Sequence, residues 1–342
     1  AMNIELRGRK VAIIGGAGFI GHNLALSLAG RGADVEVIDS LQVNNLLAFS
    51  TKMPDLHNRE LYLRIIHERL ELLHGAGVTV HPVDARDYHA LGTLLNHQIK
   101  PQVIVHLAAV ASVQATVDDP TGTHETNFDG TLYLLEAARK EKIRRFLYAS
   151  SAAVYGDNTR MPLTEEEMPN PLSPYAADKL AGEYYLRFYH AKFGIETTVF
   201  RFFNIFGPRQ DPSSPYSGVI SIFIERVSRA EPVTIFGDGR QTRDFVYVGD
   251  LADLLVQALS RPEVVAQTIN VGRGQQCSLL ELLEALEKLT GKPVERRFEA
   301  ARMGDIVHSR ADVTRLVRLF GKAPATDMAT GLAEILRHRM SD

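Results

Sequence analysis

Cysteine is almost missing from this chain of 342 residues, with Cys277 the single thiol. A lone thiol cannot close an internal disulfide, which fits a reducing cytoplasm. With no evident base nearby, Cys277 reads as a buried filler rather than a nucleophile. An excess of one charge sign is missing too. Lys and Arg number 38 against 41 Asp and Glu, a net charge of -3. That balance carries no polyanion-binding signature, so nucleic acid is not an implied partner. There is no long apolar run and no secretory segment, so a soluble protein without a membrane partner is expected. Repeats and low-complexity tracts are also absent. A 45% hydrophobic content over this length suffices for a large core in one large or two modest domains.

The first informative segment is Gly15-Gly-Ala-Gly18-Phe-Ile-Gly21. It follows the apolar run Lys10-Val-Ala-Ile-Ile14, which reads as a buried parallel strand. It opens a helical stretch, Phe19 to Arg31, with Ile20, Leu24, Ala25 and Leu28 at helix-face spacing. Strand, glycine-rich turn and helix form the context of a dinucleotide fingerprint. The glycines permit a tight turn and close backbone approach to a pyrophosphate held at the helix N-terminus. A second strand, Asp34-Val-Glu-Val-Ile38, ends at Asp39. A carboxylate there accepts hydrogen bonds from both adenosine ribose hydroxyls and repels a 2′-phosphate, favouring NAD over NADP.

Far downstream, Ser173-Pro-Tyr-Ala-Ala-Asp-Lys179 sets Tyr175 and Lys179 four apart. In a helix both lie on one face, a turn apart. A free tyrosine, with a pKa of about 10, is a poor base at neutral pH. A neighbouring ammonium is expected to lower that pKa toward the working range.

Between and beyond these motifs, strands and helices alternate. Helices are expected near Arg59–His74, Asp87–His97, Gly122–Glu141 and from Tyr175 to about Phe193. Strands are expected at Val78–Pro82, Gln102–His106, Arg145–Ala149 and Glu196–Phe200. The pattern predicts an α/β fold: a Rossmann-like, doubly wound parallel sheet with a smaller mixed α/β substrate-binding region. Residues 2–201, with part of 245–275, are expected to form the dinucleotide domain, and 202–244 with 276–342 the substrate region.

With these motifs the chain resembles the extended short-chain dehydrogenase/reductase family, and within it the nucleotide-sugar epimerases. Further shared motifs are His106-Leu-Ala-Ala109, Ser150-Ser-Ala-Ala-Val-Tyr-Gly156 and Arg201-Phe-Phe-Asn-Ile-Phe-Gly207. Gly237-Asp-Gly-Arg-Gln-Thr-Arg-Asp-Phe-Val-Tyr247 and Gly304-Asp-Ile-Val-His-Ser309 complete the set. The resemblance implies NAD as cofactor and no metal. On the cofactor side it implies Gly15, Gly18, Phe19, Ile20, Gly21, Asp39, Asp84, Ala85, Leu107, Ala108, Ala109, Asn127, Ser150 and Phe202, together with Tyr175 and Lys179. Asp84 would meet the adenine amino group, and Asn127 would steady the active-site backbone.

For catalysis, the resemblance implies that Tyr175 takes the proton from a sugar C4 hydroxyl while hydride leaves C4 for NAD. Lys179 would lower the tyrosine pKa and hold the nicotinamide ribose, and Ser151 would hydrogen-bond the substrate hydroxyl. On the substrate side it implies Ala152, Asn204, Arg209 and Val219, with Thr234, Ile235 and Phe236 recognising uracil. Arg243 and Arg302 would neutralise the diphosphate, and Asp305 would bind the nucleotide ribose. Similar dehydratases carry an Asp-Glu pair after the Ser/Thr, where this chain has Ala152 and Ala153. Methyl groups cannot move a proton, which leaves reversible oxidation and reduction at C4.

The sugar stays open at this stage. A small Ser309 stands where glucose/galactose-restricted relatives often have a bulky tyrosine, which suits a C2 N-acetyl group. Arg201 admits two readings: a partner for a C6 carboxylate, or a buried arginine satisfied by backbone carbonyls at a strand end. UDP-glucose/galactose is placed ahead of UDP-glucuronate/galacturonate and UDP-N-acetylhexosamines. Apolar residues such as Leu132, Leu135, Tyr184, Tyr185 and Phe188 on the two long helices combine with the resemblance to suggest a homodimer.

Overall fold

Val11 and Ile13 pack to one side of the first strand, Ala12 and Ile14 to the other, and all four are buried. A strand with both faces covered belongs at the centre of a parallel sheet. The computed structural model describes residues 6–42, 59–210, 218–301 and 306–340. Its main sheet has seven strands: β1 Lys10–Ile14, β2 Asp34–Ile38, β3 Thr79–His81, β4 Val103–His106, β5 Arg145–Ser151, β6 Glu196–Phe202 and β11 Thr268–Val271. Their order is β11-β6-β5-β4-β1-β2-β3, and every pairing is parallel. This is a doubly wound α/β sheet, whose chain reversal beside β1 and β4 opens a crevice at the carboxyl ends of the strands.

On the first face lie α1 (Phe19–Ala29) and, later in the chain, α9 (Val248–Ala258) and α11 (Thr314–Phe320). After β2 comes α2 (Arg59–Gly75). The second face is covered by α3 (Tyr88–Thr93), α6 (Gly130–Lys140) and α7 (Pro174–Phe193). The short α4 (Val113–Asp118) and α5 (Pro120–His124) precede α6. The helix expected from Gly122 therefore starts at Pro120, and it passes through a π-turn at Glu125–Asp129 before α6. A second π segment, Leu94–Ile99, extends α3. Strands β5 and β6 each run two residues beyond their expected ends, to Ser151 and Phe202, because β5 and β6 pair along their full length.

The remaining strands form three ribbons: β7 (Asn204–Phe206) with β10 (Phe245–Tyr247), β9 (Thr242–Arg243) with β12 (Cys277–Ser278), and β8 (Val233–Phe236) with β13 (Arg296–Glu299). Together with α8 (Val219–Ser228), α10 (Leu279–Thr290) and α12 (Met328–Met340) they enclose a separate apolar cluster around Phe223, Ile235, Leu283 and Leu332. No described helix is long and apolar enough to cross a membrane.

Candidate active site

The glycine turn is shaped by contacts that leave no room for side chains. Gly15 has φ +80°, and a Cβ there would lie 2.7 Å from the Ala108 backbone. A Cβ on Gly21 would lie 2.4 Å from the Gly15 carbonyl oxygen. Gly18 caps α1 without a side chain, so the first-turn amides, from Phe19 and Ile20 on, have no intrahelical acceptor and suit an anion. Asp39 accepts the amides of Ala17 at 3.0 Å and Leu41 at 2.9 Å, which fixes the turn to the end of β2. A bare turn, uncapped amides and a carboxylate at the second strand's end fit the pyrophosphate and ribose of a dinucleotide.

Leu107 continues the sheet by donating to Ile14, and Ala108 and Ala109 follow at the crevice. Asn127 is fully buried and grips Val110 from both sides, accepting its amide at 2.7 Å and donating to its carbonyl at 3.3 Å. Asp84 is engaged with Arg86, and Gln42 donates to it at 3.1 Å. The Arg86 hydrogen bond holds the Asp84 carboxyl below its ordinary range. Ala85 is buried against Gly130.

Local sequence explains where the catalytic helix begins and ends. Ser173 accepts the Ala176 amide at 3.2 Å, Pro174 occupies the first turn, and Gly194 closes α7 at φ 71°. The Tyr175 amide donates to Thr116 Oγ1 at 3.2 Å, tying this turn to α4. Ser151, at the end of β5, accepts the Ala153 amide at 3.1 Å, and its hydroxyl acts to lower the pKa of the Tyr175 phenol. Lys179 is 2% exposed. Its ammonium donates to the Ala149 carbonyl at 2.7 Å and lies 4.9 Å from the Tyr148 ring centre and 5.9 Å from that of Tyr175.

The electrostatics correct one expectation. Tyr175 is held above its ordinary pKa, because burial outweighs the Ser151 hydrogen bond, and Lys179 does not reverse this. Desolvation acts on the lysine instead, bringing it down to about 8 against the opposing charges of Asp178 and Glu183. Burial disfavours both the phenolate and the ammonium.

Of its two readings, Arg201 takes the buried one. Arg201 is buried, and its guanidinium meets Glu183 at 3.0 and 2.7 Å, so it is not directed at a sugar carboxylate. Its main partner is a carboxylate, and the Glu165 backbone carbonyl also accepts from Nη1 at 3.5 Å. Arg209 donates from Nε to Glu68 of α2 at 2.6 Å, and its carbonyl accepts from Arg69. Ser150 also turns away from the crevice, donating to Glu183 at 2.5 Å. Arg302 and Asp305 lie outside the described residues.

Across the crevice, Phe202 ends β6 and Ala152 opens the turn after Ser151. Asn204 is exposed, and its amide pairs with the Asp244 carbonyl at 3.0 Å. Val219 starts α8. Ile235 is buried in the second core, whereas Thr234 and Phe236 are partly exposed on a strand whose described ladder runs along one edge, to β13. Arg243 is half-buried and donates to Thr242; the Ser309 amide also donates to Thr242.

Two residues here escaped sequence reasoning. Asp244 is fully buried and accepts the amides of Arg273, Gly274 and Ala311 at 2.8, 2.9 and 3.1 Å. It thereby joins the loop after β11 to the segment carrying Ser309. Burial pushes its carboxyl up to about 6 although the three amides pull down. Glu183 was missed as well. The available signal was its position, four residues beyond Lys179 and eight beyond Tyr175 on the same helix face. Cys277 is half-buried, and burial pushes its thiol up to about 11, which makes it a poor nucleophile.

A tyrosine over a buried lysine, with a serine at the adjoining strand end and at the mouth of a dinucleotide sheet, suits an enzyme that exchanges protons and hydride at an alcohol carbon. Residues 11–272 match the NAD dependent epimerase/dehydratase family, and the chain belongs to that family. Its cofactor is NAD. The chain is 36% identical over 326 residues to the UDP-glucose 4-epimerase of Mycolicibacterium smegmatis, covering 95% of this chain and 96% of that protein. Among solved structures, a UDP-N-acetylglucosamine 4-epimerase from Methanobrevibacter ruminantium, in complex with UDP-N-acetylmuramic acid, superposes with a TM-score of 0.82 at 33% identity, covering 98% of this chain and 99% of that one. The UDP-glucose 4-epimerase of Thermus thermophilus, in complex with NAD, gives 0.80 at 33% identity and covers 96% and 98%.

Proposed function

We propose that this chain reversibly inverts C4 of a UDP-hexose through a 4-keto sugar, with UDP-glucose and UDP-galactose as its first substrates. The observation that carries the reading is the Tyr175 ring over the Lys179 ammonium, with Ser151 at the adjoining end of β5, followed by the methyl groups of Ala152 and Ala153. Bound NAD supplies the hydride acceptor and, on return, its donor. Tyr175 Oη takes the proton from the C4 hydroxyl and gives it back when the opposite face of C4 is reduced. Ser151 Oγ favours the phenolate by donating to it and orients the hydroxyl. The Lys179 ammonium lends positive charge beneath the phenol and suits the nicotinamide ribose. No cofactor is consumed over the cycle.

Residues 2–201, with part of 245–275, form the NAD half. Residues 202–244 and 276–342 form the nucleotide-sugar half, where the strand from Thr234 to Phe236 meets uracil and Arg243, Arg302 and Asn204 meet the diphosphate. Pairing of Arg201 with Glu183 removes its support for a uronic acid, which moves neutral hexoses ahead. A UDP-N-acetylhexosamine is the second reading, favoured by the small side chain of Ser309. A homodimer is supported by the exposed Tyr184, Tyr185 and Phe188 on α7, and a reducing cytoplasm by the lone cysteine. Incubating the protein with neutral, acidic and N-acetylated UDP-sugars and following their anomeric protons by NMR tests the proposal. No inversion with any of them would sink it.

A further inference from the structure

The buried face of α7 clasps three successive residues at the end of β5. Lys179 holds the Ala149 carbonyl and Glu183 holds the Ser150 hydroxyl, and the Ser151 hydroxyl acts on the Tyr175 phenol. Two of these contacts belong to the catalytic set. The middle one joins a carboxylate 3% exposed to a serine 2% exposed, at 2.5 Å.

Glu183 is then balanced from β6. Its Oε1 accepts Ser150 Oγ and Arg201 Nε, and its Oε2 accepts Arg201 Nη2 at 2.7 Å. The guanidinium stacks over Tyr155, 4.8 Å from the ring centre, and Tyr155 donates to Asn270 at 2.6 Å. Asn270 in turn donates to the Leu163 carbonyl at 2.8 Å. Stability alone is a weak reason for such an arrangement. A buried ion pair is often no more stabilising than apolar residues of similar volume. What a bidentate pair does impose is direction. With both Glu183 oxygens fixed by Arg201, the remaining lone pair on Oε1 points at one place, the Ser150 hydroxyl.

We propose that Glu183 is a positioning residue for the reaction: anchored by Arg201, it holds Ser150 and so sets the end of β5 from which Ser151 meets Tyr175. This rests on the C4-epimerase reading for its activity readout. Glu183 touches no reacting atom and acts through the peptide between Ser150 and Ser151. Its expected effect is on the aligned state rather than on substrate affinity, since misplacement of a reacting group by about 1 Å costs on the order of a hundredfold in rate.

The test uses the NAD-loaded protein. Ser150→Ala removes the handle and leaves the Glu183–Arg201 pair in place. Glu183→Leu with Arg201→Met removes both charges together, so neither is left buried alone. Expected for each is a kcat lower by about tenfold or more, with KM for UDP-galactose and bound NAD little changed. An independent readout is the 13Cζ NMR signal of Tyr175 in tyrosine-labelled protein, identified by its loss in Tyr175→Phe. That signal should move in Ser150→Ala. A Ser150→Ala protein with wild-type kcat and an unmoved Tyr175 signal would overturn the proposal. So would a loss of stability alone, with unchanged kcat per folded molecule. If wild type inverts no UDP-sugar, the function reading fails, and the Tyr175 signal still decides this one: moved supports it, unmoved overturns it.

Discussion

Lys179 donates to the Ala149 carbonyl at 2.7 Å, two residues before Ser151. The contact holds an ammonium beneath the phenol in a place where water cannot solvate it. A buried ammonium has a cost in stability that depends on pH, and its sign follows from the lowered pKa.

Below pH 8 Lys179 is protonated in both the folded and unfolded chain, and its desolvation cost is fully present. Between about 8 and the ordinary 10.5, the folded chain has released the proton while the unfolded chain still binds it. Stability contributed by this group therefore rises with pH across that window, by about 3 kcal/mol in total. Lys179→Met should lack the rise. Urea unfolding of both proteins at a fixed NAD concentration, at pH values from 7 to 10.5, measures the difference. Parallel curves would show that the lysine is not desolvated as described.

Arg201→Met should destabilise the protein by about 3–5 kcal/mol, because Glu183 is left charged and buried without its partner. Adding Glu183→Leu should recover most of that loss in a denaturant titration. The double variant also decides whether Arg201 reads the sugar. A lost charged hydrogen bond to a C6 carboxylate is worth roughly 1.5–3 kcal/mol, or about ten- to a hundredfold in kcat/KM. Because Arg201 faces Glu183, the ratio of UDP-glucuronate to UDP-glucose activity should instead stay constant.

Gly21→Ala should empty the cofactor site. The added methyl would lie 2.4 Å from the Gly15 carbonyl oxygen and 2.5 Å from Gly16 Cα, both backbone atoms of the turn meant for the pyrophosphate. Overpacking of this kind costs about 1–3 kcal/mol, or roughly ten- to a hundredfold in NAD affinity if the turn takes the whole strain. Enzymatic assay of NAD released from denatured protein gives the content directly. Wild-type occupancy would mean that the turn yields elsewhere.

The same contrast separates what the amino-acid sequence reveals from what it hides. Gly15 to Gly21 and the start of α7 are legible because their causes lie within a few residues: a turn without Cβ atoms, and a Ser-Pro cap before Tyr175. Arg201 was open to two readings because its partner lies 18 residues away on a different element. Arg209 is harder still, since Glu68 is 141 residues distant. The upward shift of Tyr175 escaped for a related reason. A lysine four residues on is visible in the chain, but the burial that outweighs it arises only when the sheet, α4 and α7 come together.

Phe188→Asp should convert a dimer into a monomer. Along α7 the buried face carries Tyr175, Lys179 and Glu183, and the outer face leaves Tyr184 and Phe188 each 53% exposed and Tyr185 40% exposed. Phe188 also meets Phe193 edge-on at 5.8 Å, and Phe128 meets Tyr185 at 5.1 Å, so the patch extends to the neighbouring helix. Aromatic side chains bury roughly 150–250 Å² each when covered, and a contiguous apolar surface of this kind marks an association site. A carboxylate at its centre would be buried unpaired in both copies across a two-fold axis, at a cost of several kcal/mol. Light scattering should give twice the chain mass of 37.9 kDa for wild type and that mass once for the variant. A monomeric wild type would remove the dimer from the proposal, and a dimeric Phe188→Asp would move the interface to another face.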